Sequence, residues 1–415
     1  MMKIGIIKRE TIKPSISSSQ TVKAQRLKKS FSEALTLCYP FSGRIENNIT
    51  IRFDDGGDDE DCGAYYIEAR IDTPLSSFLQ QPDVEVLKKF LPNEVESPKA
   101  TTMPLLLLQI SFFNCGGLAV GLCISHRLAD LVTLIKFIML WKAIAHDTEQ
   151  QRLPLFAFDA ASYFPPKDQD HDHNLAADEK PPPVVLNWPD KCVTKRFVFD
   201  GSQVAALKAK AASEYAQRPS RVEAVSALIW RCAWRSNTMI NLKHSVMVQF
   251  MDIRKRVESP PLENTMGNLV HYFGTVAEEG NEMELPYLVA QLREQIRKCS
   301  ENLVKTLASG TSTNSVELLR AQETAGDFAS RIKYMKLYLC SSWCNFRLYD
   351  YADFGWGKPI WIFTAGSSKK NFFRLMETKE GDGVEAWVSL SNEEMALFER
   401  DDQLLAFASS NPSVL

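Results

Sequence analysis

Gly117-Leu118-Ala119-Val120-Gly121-Leu122-Cys123-Ile124-Ser125-His126-Arg127-Leu128-Ala129-Asp130 is the stretch around which the chain is organised. Its residues 117–124 form an apolar run typical of a buried strand, and apolar residues then recur at helical spacing through 131–139. His126 therefore lies where a strand ends and a helix begins. Side chains at the carboxyl ends of strands commonly face a crevice in α/β folds, so the pattern predicts a site at His126.

His126 is a candidate for acid–base chemistry, because an imidazole changes protonation state near neutral pH and can take and return a proton within one turnover. Asp130 follows it after three residues. By itself, such a pair is more often a hydrogen-bonded structural pair than a catalytic one. A functional interpretation therefore needs support from elsewhere in the chain.

Strands and helices alternate on both sides of this stretch. In the first half the patterns predict a strand at 3–7, a helix at 21–37, a hairpin of 48–53 with 64–71, and a hairpin of 105–113 with the strand before His126. In the second half they predict capping boxes at Asp200 and Ser220, a helix at 285–303 and strands at 194–199, 246–251, 337–343, 360–365 and 384–390. A mixed α/β architecture is expected in both halves.

The length of 415 residues predicts two domains of near-equal size. Composition changes after Phe164, where prolines cluster at 165–166 and 181–183. We therefore expect an N-terminal domain at 1–164, a crossover linker at 165–193 and a C-terminal domain at 194–415. Two histidines in the linker have no further ligand cluster beside them, so no metal site is expected.

The charge and cysteine patterns exclude several classes of protein. A net charge of −3, with no basic cluster interleaved with aromatic residues, argues against a nucleic-acid partner. The start of the chain is too short and too charged for a secretory signal, and Lys136 and Lys142 interrupt the most apolar helix candidate, so no membrane span is expected. The nine cysteines lack a Cys-x-x-Cys motif and lie mostly in apolar runs, which favours reduced thiols. A cytoplasmic protein is predicted.

A second informative stretch is Tyr349-Asp350-Tyr351-Ala352-Asp353-Phe354-Gly355-Trp356-Gly357-Lys358-Pro359. Two glycines around a tryptophan indicate a tight backbone path, and the proline fixes the exit from it. By itself, this segment is best interpreted as a structural loop.

Together, His126-x-x-x-Asp130 and the 353–357 motif, in this order and separation, resemble the BAHD family of plant acyl-CoA-dependent acyltransferases. The resemblance covers nearly the whole chain, and the Asp-Phe-Gly-Trp-Gly motif is highly specific. Further matches lie at 39–44, 252–254, 264–268 and 381–387. Within the family, the 125–130, 342–344 and 381–387 segments are most similar to the alkaloid acetyltransferase branch.

The resemblance implies two chloramphenicol acetyltransferase-like domains with mixed sheets, a solvent channel between them and His126 as the catalytic residue within it. It implies an enzyme that transfers acyl groups other than aminoacyl, as an O-acyltransferase that moves an acetyl group from acetyl-CoA to a hydroxyl of a plant specialised metabolite, such as an alkaloid. Acyl-CoA would be a co-substrate, with no tightly bound cofactor, and a monomer is expected.

The same resemblance assigns supporting roles to other residues. Structural support of the site is expected from Asp130, Asp353, Arg254, Gly355 and Gly357. Arg254 is the expected partner of Asp130, of Asp353 or of both. Contacts to CoA are expected from Asn268, Ser226 and Trp356. The alternative for each of these residues is that its side chain only packs against its neighbours.

One departure from the family pattern leaves alternatives open. Family members carry several tens of residues between the opening Pro-Ser and the first helix, whereas here Pro14-Ser15-Ile16 runs directly into a short polar segment. Part of one wall of the acceptor pocket is then missing or replaced. The alternatives are an N-acyltransferase acting on an amine, and a non-catalytic member that binds small molecules or a protein partner.

Overall fold

The computed structural model describes residues 4–12, 22–46, 50–53, 62–93, 103–146, 156–164, 192–239, 242–256, 262–278, 280, 283–308, 335–366 and 369–415. Within them the chain forms two halves, each with its own large β-sheet. The expected linker, 165–193, lies outside the described residues apart from 192–193, which begin a strand. The shortened segment after Pro14 also lies outside them.

The N-terminal half holds a four-stranded sheet in the order β1-β4-β5-β6 and a small β2-β3 pair. Its strands are β1 Ile4–Ile12, β2 Arg44–Glu46, β3 Thr50–Arg52, β4 Ala64–Ile71, β5 Leu106–Phe113 and β6 Leu118–Ile124. Its helices are α1 Val22–Leu37, α2 Leu75–Gln80, α3 Val84–Leu87, α4 Leu131–Ala145 and α5 Ala160–Tyr163. Short 3₁₀ turns occupy Tyr39–Ser42 and Lys88–Phe90.

The strand pairing in this half corrects one prediction and agrees with another. The hairpin that precedes His126 forms as expected, with β5 antiparallel to β6. The predicted pairing of 48–53 with 64–71 is wrong, because β3 pairs with β2 while β4 lies between β1 and β5. The physical reason is that β4 is buried along nearly its whole length, which requires partners on both of its edges.

The C-terminal half holds a seven-stranded sheet in the order β13-β7-β12-β11-β10-β8-β9. Its strands are β7 Cys192–Phe199, β8 His244–Asp252, β9 Val270–Glu278, β10 Met335–Ser342, β11 Phe372–Glu377, β12 Val384–Ser391 and β13 Ser409–Ser410. Its helices are α6 Gly201–Ala211, α7 Arg221–Arg235, α8 Leu285–Ala308, α9 Leu348–Tyr351, α10 Asn392–Phe398 and α11 Asp402–Leu405.

Both predicted capping boxes are present in this half. The Asp200 and Ser220 side chains each accept the N–H three residues on, and the side chains of Gln203 and Glu223 bond back to the cap residues. The predicted strand at 360–365 is wrong. β11 takes the place beside β10 instead, and 360–365 remains irregular. Strands β9 and β11 were not predicted from the sequence.

Each half has its own core, built mainly from aromatic and aliphatic residues. In the N-terminal half, Phe31 of α1 packs edge-on against Phe137 and Trp141 of α4. The Trp141 indole N–H donates a hydrogen bond to the Leu27 carbonyl on α1 (3.1 Å). Burying side chains of this size stabilises a fold by about 1.5–3 kcal/mol each, which holds α1 and α4 together.

Helix α4 joins the two halves, because segments of the C-terminal half contact it at both ends. At its start, the carbonyl of Gly267 accepts from the Asp130 N–H (3.3 Å) and from the Thr133 hydroxyl (3.1 Å). At its end, the Lys142 ammonium donates to the Asp350 carbonyl (2.9 Å). The turn that carries His126 is therefore fixed by both halves of the molecule. Among the described residues, no helix is both long and apolar enough to cross a membrane.

Candidate active site

The turn that carries His126 follows directly from the local sequence. After β6 ends, the Ser125 N–H donates to the Leu105 carbonyl (2.8 Å), and the Ser125 carbonyl accepts from the Leu128 N–H (3.0 Å). Asp130 then caps α4, accepting from the Thr133 N–H (3.0 Å). The strand and the capped helix leave His126 at the outer part of a short turn.

The His126 side chain is exposed and lines a cavity of about 1120 Å³. Within the described ranges, its ring has no hydrogen-bond partner from the protein. The cavity walls come from both halves of the chain. They include Gly121, Leu134 and Ile138 from the first half and Phe250, Trp343 and Phe363 from the second. An imidazole in this position is accessible to a ligand and free to accept a proton from it.

The backbone of His126 is held from the other half of the molecule. The Asn268 side-chain amide donates to the His126 carbonyl oxygen. Asn268 is exposed and is not among the residues that line the cavity. Asn268 thus contacts the turn that carries the imidazole, whereas a contact with CoA was predicted from the sequence.

We expect Asn268→Ala to lower kcat about tenfold with little change in KM, because the turn loses a hydrogen bond while the cavity walls stay in place. Steady-state kinetics with an acyl-CoA and an alcohol, the substrates that the motif resemblance implies, measures kcat and KM separately. Asn268→Asp, which keeps the size of the side chain but cannot donate, should behave like the alanine variant.

Asn264→Ala is the matched control for this test, because the Asn264 side chain contacts Lys136 and not the His126 turn (2.9 Å). It should leave kcat within about twofold of wild type. Equal losses for the two alanine variants, or a change confined to KM in Asn268→Ala, would contradict a positioning role for Asn268.

Arg254 and Asp130 form a buried ion pair beside the His126 turn. The guanidinium makes two contacts to the Asp130 carboxylate (2.7 and 3.2 Å) and a third to Asp252 (2.9 Å). The Leu269 N–H also donates to Asp130 (3.0 Å). Both Asp130 oxygens are therefore committed to Arg254 and backbone groups, and neither contacts the His126 ring. Of the two partners expected for Arg254, Asp130 is the one it contacts. The second carboxylate that pairs with Arg254 is that of Asp252 and not that of Asp353.

Asp353 instead organises its own loop. One carboxylate oxygen accepts the N–H groups of Gly355 (2.9 Å) and Gly357 (3.1 Å), and these bonds hold the pKa of Asp353 below its usual value. Both glycines have positive φ, of 95° and 94°. A side chain at either position would be strained, which explains the Gly-Trp-Gly spacing.

This loop packs against the N-terminal half. The Phe354 ring lies 4.5 Å from Trp141, and the His146 ring contacts the Asp353 carbonyl (2.9 Å). His146 is half-buried under the loop. The neighbouring Trp356 ring lies 5.3 Å from the Lys23 ammonium. The motif thus joins the two halves, and it adds Phe354, Trp356 and Gly357 to the cavity wall.

Of the residues expected to contact CoA, Trp356 lines the cavity, whereas Ser226 does not. Ser226 has no exposed surface, and its hydroxyl donates to the Glu223 carbonyl inside α7 (3.3 Å). The sequence placed it near the start of a helix correctly, but the helical period turns it into the core. The predicted contact of Ser226 with CoA does not agree with this burial.

Cys123 lines the cavity close to His126, but it is a poor nucleophile. Burial raises the pKa of its thiol to about 11, against a weaker lowering by a backbone hydrogen bond at Asn93. A thiol with such a pKa is almost fully protonated at neutral pH, and the thiolate is the reactive form. Among the described residues, no group of three or more His, Cys, Asp or Glu could hold a metal ion.

Gly121 lets the segment after α3 approach β6 closely. A Cβ atom at this position would lie 1.9 Å from the Phe90 carbonyl oxygen. We expect Gly121→Ala to destabilise the protein by about 1–3 kcal/mol, because the backbone of either β6 or Phe90 must move to make room for the methyl group. The shift in the thermal unfolding midpoint measures this, and an unchanged midpoint would show that the 88–91 segment moves aside freely.

Several residues of the cavity wall were not predicted from the sequence. Trp343 follows β10, Trp361 and Phe363 come from the irregular segment after the Asp353 loop, and Arg374 lies on β11. The aromatic density at 361–363 was visible in the sequence, but it was interpreted as a strand. No spacing pattern in the sequence links these residues to His126.

An accessible histidine in a cavity shared by two sheet-containing halves is the arrangement that the motif resemblance implies for an acyl-CoA-dependent acyltransferase. Residues 7–405 match the family model described as Transferase family. BAHD acyltransferase BIA1 of Arabidopsis thaliana is 36% identical over 408 residues, which cover 96% of this chain and 89% of that protein. The chain belongs to the BAHD acyltransferases.

Two further relatives are similar over nearly the whole chain. The limonoid 7-O-acetyltransferase of Citrus sinensis is 34% identical over 423 residues, which cover 96% of this chain and 87% of that protein. The crystal structure of vinorine synthase superimposes with a TM-score of 0.76 at 28% identity and covers 100% of both chains. The mixed α/β fold with two sheet-containing halves is therefore that of a known acyltransferase.

Proposed function

We propose that this protein transfers an acetyl group from acetyl-CoA to a hydroxyl of a plant specialised metabolite, with His126 as the general base. The observation that carries the proposal is the exposed His126 ring, which has no hydrogen-bond partner among the described residues and faces a cavity walled by both halves. By motif resemblance, the acceptor is an alkaloid. The relative that acetylates a limonoid oxygen supports a hydroxyl as the acceptor group.

The chemistry requires one proton carrier. The acceptor hydroxyl donates its proton to the His126 imidazole as the oxygen attacks the thioester carbonyl, which forms a tetrahedral intermediate. When this intermediate collapses, the carbon–sulfur bond breaks and the imidazolium returns the proton to the departing CoA sulfur. No acyl-enzyme is needed, in keeping with the protonated state of Cys123.

The volume of the cavity supports binding of more than one small molecule. At about 1120 Å³ it exceeds the roughly 300–1,000 Å³ that is usual for a site holding one small molecule. Much of its lining is apolar or aromatic, including Phe78, Ile138, Trp343, Trp361 and Phe363. Such walls favour a rigid, apolar acceptor, whose burial supplies binding free energy while His126 contacts its hydroxyl.

We also propose that Trp356, as part of the cavity wall, contacts CoA, and that Asp130, Arg254, Asp353, Gly355 and Gly357 maintain the shape of the site without touching the reacting atoms. The protein is proposed to act as a cytoplasmic monomer in which acyl-CoA and the acceptor are its only ligands. The domain limits at 164 and 194 stay a proposal, and β7 begins at Cys192, two residues before the second limit.

Incubation with isotopically labelled acetyl-CoA and a panel of alcohols and amines, read by mass spectrometry, tests the function. Labelled esters are expected. Labelled amides alone would instead indicate an N-acyltransferase. Absence of any acylated product, together with binding of acetyl-CoA or of panel members, would indicate a non-catalytic member and defeat the proposal.

A further inference from the structure

Asp252 is a carboxylate of the cavity wall with one oxygen left for a ligand. It ends β8 and lines the cavity beside Phe250. Its Oδ1 atom accepts from the backbone N–H of Arg254 (3.3 Å) and from the Arg254 guanidinium (2.9 Å). Its Oδ2 atom accepts no hydrogen bond from the described residues, and it is not one of the buried polar atoms that lack a partner. A ligand in the cavity can therefore reach this oxygen.

Asp252 differs in this respect from Asp130, the other carboxylate among the described residues that line the cavity. Each Asp130 oxygen accepts one bond from Arg254 and one from a backbone N–H. The Asp130 side chain is 4% exposed, whereas that of Asp252 is 21% exposed. Because each oxygen of an ionised carboxylate has two lone pairs, Asp130 is saturated and Asp252 is not.

The charged groups around Asp252 leave an excess of one negative charge. The Arg254 guanidinium pairs with both Asp130 and Asp252. Lys136 interacts electrostatically with Asp252 and with the Glu263 carboxylate. Three carboxylates thus accompany two cations in this group. A cationic ligand group would bring it to neutrality, and the attraction is stronger in a cavity partly shielded from water than in bulk solvent.

The cationic residues that line the cavity lie mostly on other segments. Four of them are outside β8 and the His126 turn, namely Lys23, Lys358, Lys369 and Arg374. Arg127 is on that turn, but it is exposed, so solvent screens its charge. Beside Asp252 the wall is formed by its neighbours Phe250 and Met251 and by its register partner on β9, Val270. The carboxylate therefore lies in an apolar stretch of the wall.

The two substrates of the proposed reaction differ in what they can present to this oxygen. Acyl-CoA carries negative phosphates and neutral amides, so it has no aliphatic ammonium to pair with a carboxylate. An acceptor with a basic nitrogen is protonated near neutral pH and offers an N–H donor with a positive charge. A charge-assisted hydrogen bond of this kind is roughly twice as strong as one between neutral groups. The acceptor is therefore the substrate whose chemistry fits Asp252.

We propose that Asp252 is a specificity-determining residue whose Oδ2 atom binds a protonated amine of the acceptor while His126 contacts the hydroxyl. This inference rests on the proposed acyl transfer and narrows its substrate class to alcohols that carry a basic nitrogen. Arg254 supports this role by holding Oδ1, which leaves Oδ2 for the ligand. Because Arg254 also holds Asp130 at the end of the His126 turn, the same guanidinium fixes the Asp252 carboxylate relative to that turn.

A matched set of alcohols tests the proposal. The first is para-(dimethylaminomethyl)benzyl alcohol, whose tertiary amine is protonated near neutral pH and forms no stable amide. The others are para-isobutylbenzyl alcohol, its neutral carbon isostere, and para-(hydroxymethyl)benzoate, which carries a negative charge. With acetyl-CoA, wild-type kcat/KM should be at least about tenfold higher for the amine than for the isostere, as expected for a hydrogen bond between charged groups. The benzoate should be the poorest acceptor. Mass spectrometry quantifies the esters.

Asp252→Asn removes the charge and keeps the size of the side chain. In this variant the ratio of kcat/KM between the amine and its isostere should fall about 10- to 100-fold, while KM for acetyl-CoA stays within about twofold. Asp252→Glu keeps the charge and should retain part of the preference. Asp159→Asn is the matched control, because Asp159 is also partly buried and accepts from the Thr265 hydroxyl (3.0 Å) without lining the cavity. The control should keep the wild-type ratio.

Three results would overturn the proposal. They are a wild-type preference for the isostere or the benzoate over the amine, an unchanged ratio in Asp252→Asn, and a rise in KM for acetyl-CoA without a change in the ratio. The last result would assign Asp252 to CoA binding. If Asp252→Asn does not fold, Asp252→Ser, a second neutral variant, and the wild-type preference decide the matter. Transfer to other alcohols but not to the amine would defeat only this inference, whereas absence of transfer to every alcohol would defeat the proposed function itself.

Discussion

His126→Ala should lower kcat for the proposed acyl transfer by about 100- to 10,000-fold, the range usually lost when a general base is removed. The physical reason is that the acceptor oxygen would have to attack while still protonated, and the departing sulfur would lack a proton donor. The melting temperature should stay close to that of wild type. The His126 ring is exposed, and within the part of the chain that the structure describes it makes no hydrogen bond that the substitution would remove.

His244→Ala is the matched control for this loss. His244 is also partly exposed, it begins β8, and it is not among the residues that line the cavity. Its removal should leave kcat within about twofold of wild type. Measuring melting temperature beside turnover separates chemistry from folding. A His126→Ala protein that turns over at the wild-type rate would end the case for imidazole catalysis.

Asp130→Ala should produce the largest loss of stability, of about 3–5 kcal/mol, because it leaves the buried Arg254 guanidinium without its closest partner. The two side chains are 2% and 4% exposed, so water cannot replace the lost carboxylate. The N-cap of α4 and the bond from the Leu269 N–H are lost at the same time. We expect a lower thermal midpoint, with activity lost through the altered His126 turn.

Asp252→Asn supplies the comparison, because Asp252 contacts the same guanidinium but its side chain is 21% exposed. Asp252→Asn should lower the free energy of unfolding by clearly less than Asp130→Ala does, since solvent screens the remaining charge. Arg254→Met should restore part of the stability lost in Asp130→Ala, because it removes the unpaired cation. If Asp130→Ala unfolds at the wild-type temperature, the buried pair does not hold the two halves together.

Several elements of the site follow from local sequence alone. The strand, the turn at His126 and the capped start of α4 depend on residues within a few positions of one another. An apolar run pairs as a strand, and an aspartate before a helix accepts its first free N–H groups. The capping boxes at Asp200 and Ser220 formed for the same reason. The strained path at Gly355 and Gly357 was likewise visible as two glycines in a short loop.

Other predictions failed because the deciding contacts are distant in the chain. Ser226 is near a helix start, as expected, but the packing of α7 on the sheet turns it inward. The segment at 360–365 has the composition of a strand, yet β11 forms the better ladder with β10. The further partner of Arg254 is Asp252, two residues away in the chain, whereas the Asp353 carboxylate accepts hydrogen bonds from the backbone of its own loop.

The sequence by itself determined the α/β class and the position of His126 between a strand and a helix, because short-range hydrogen bonding and hydrophobic periodicity set these features. The resemblance of its motifs indicated the family. Only the tertiary structure decided what surrounds that histidine. Arg254 meets Asp130 across 124 positions of chain, and Asn268 reaches the His126 carbonyl across 142. Such contacts depend on how the two halves pack together, and the cavity is lined by residues of both.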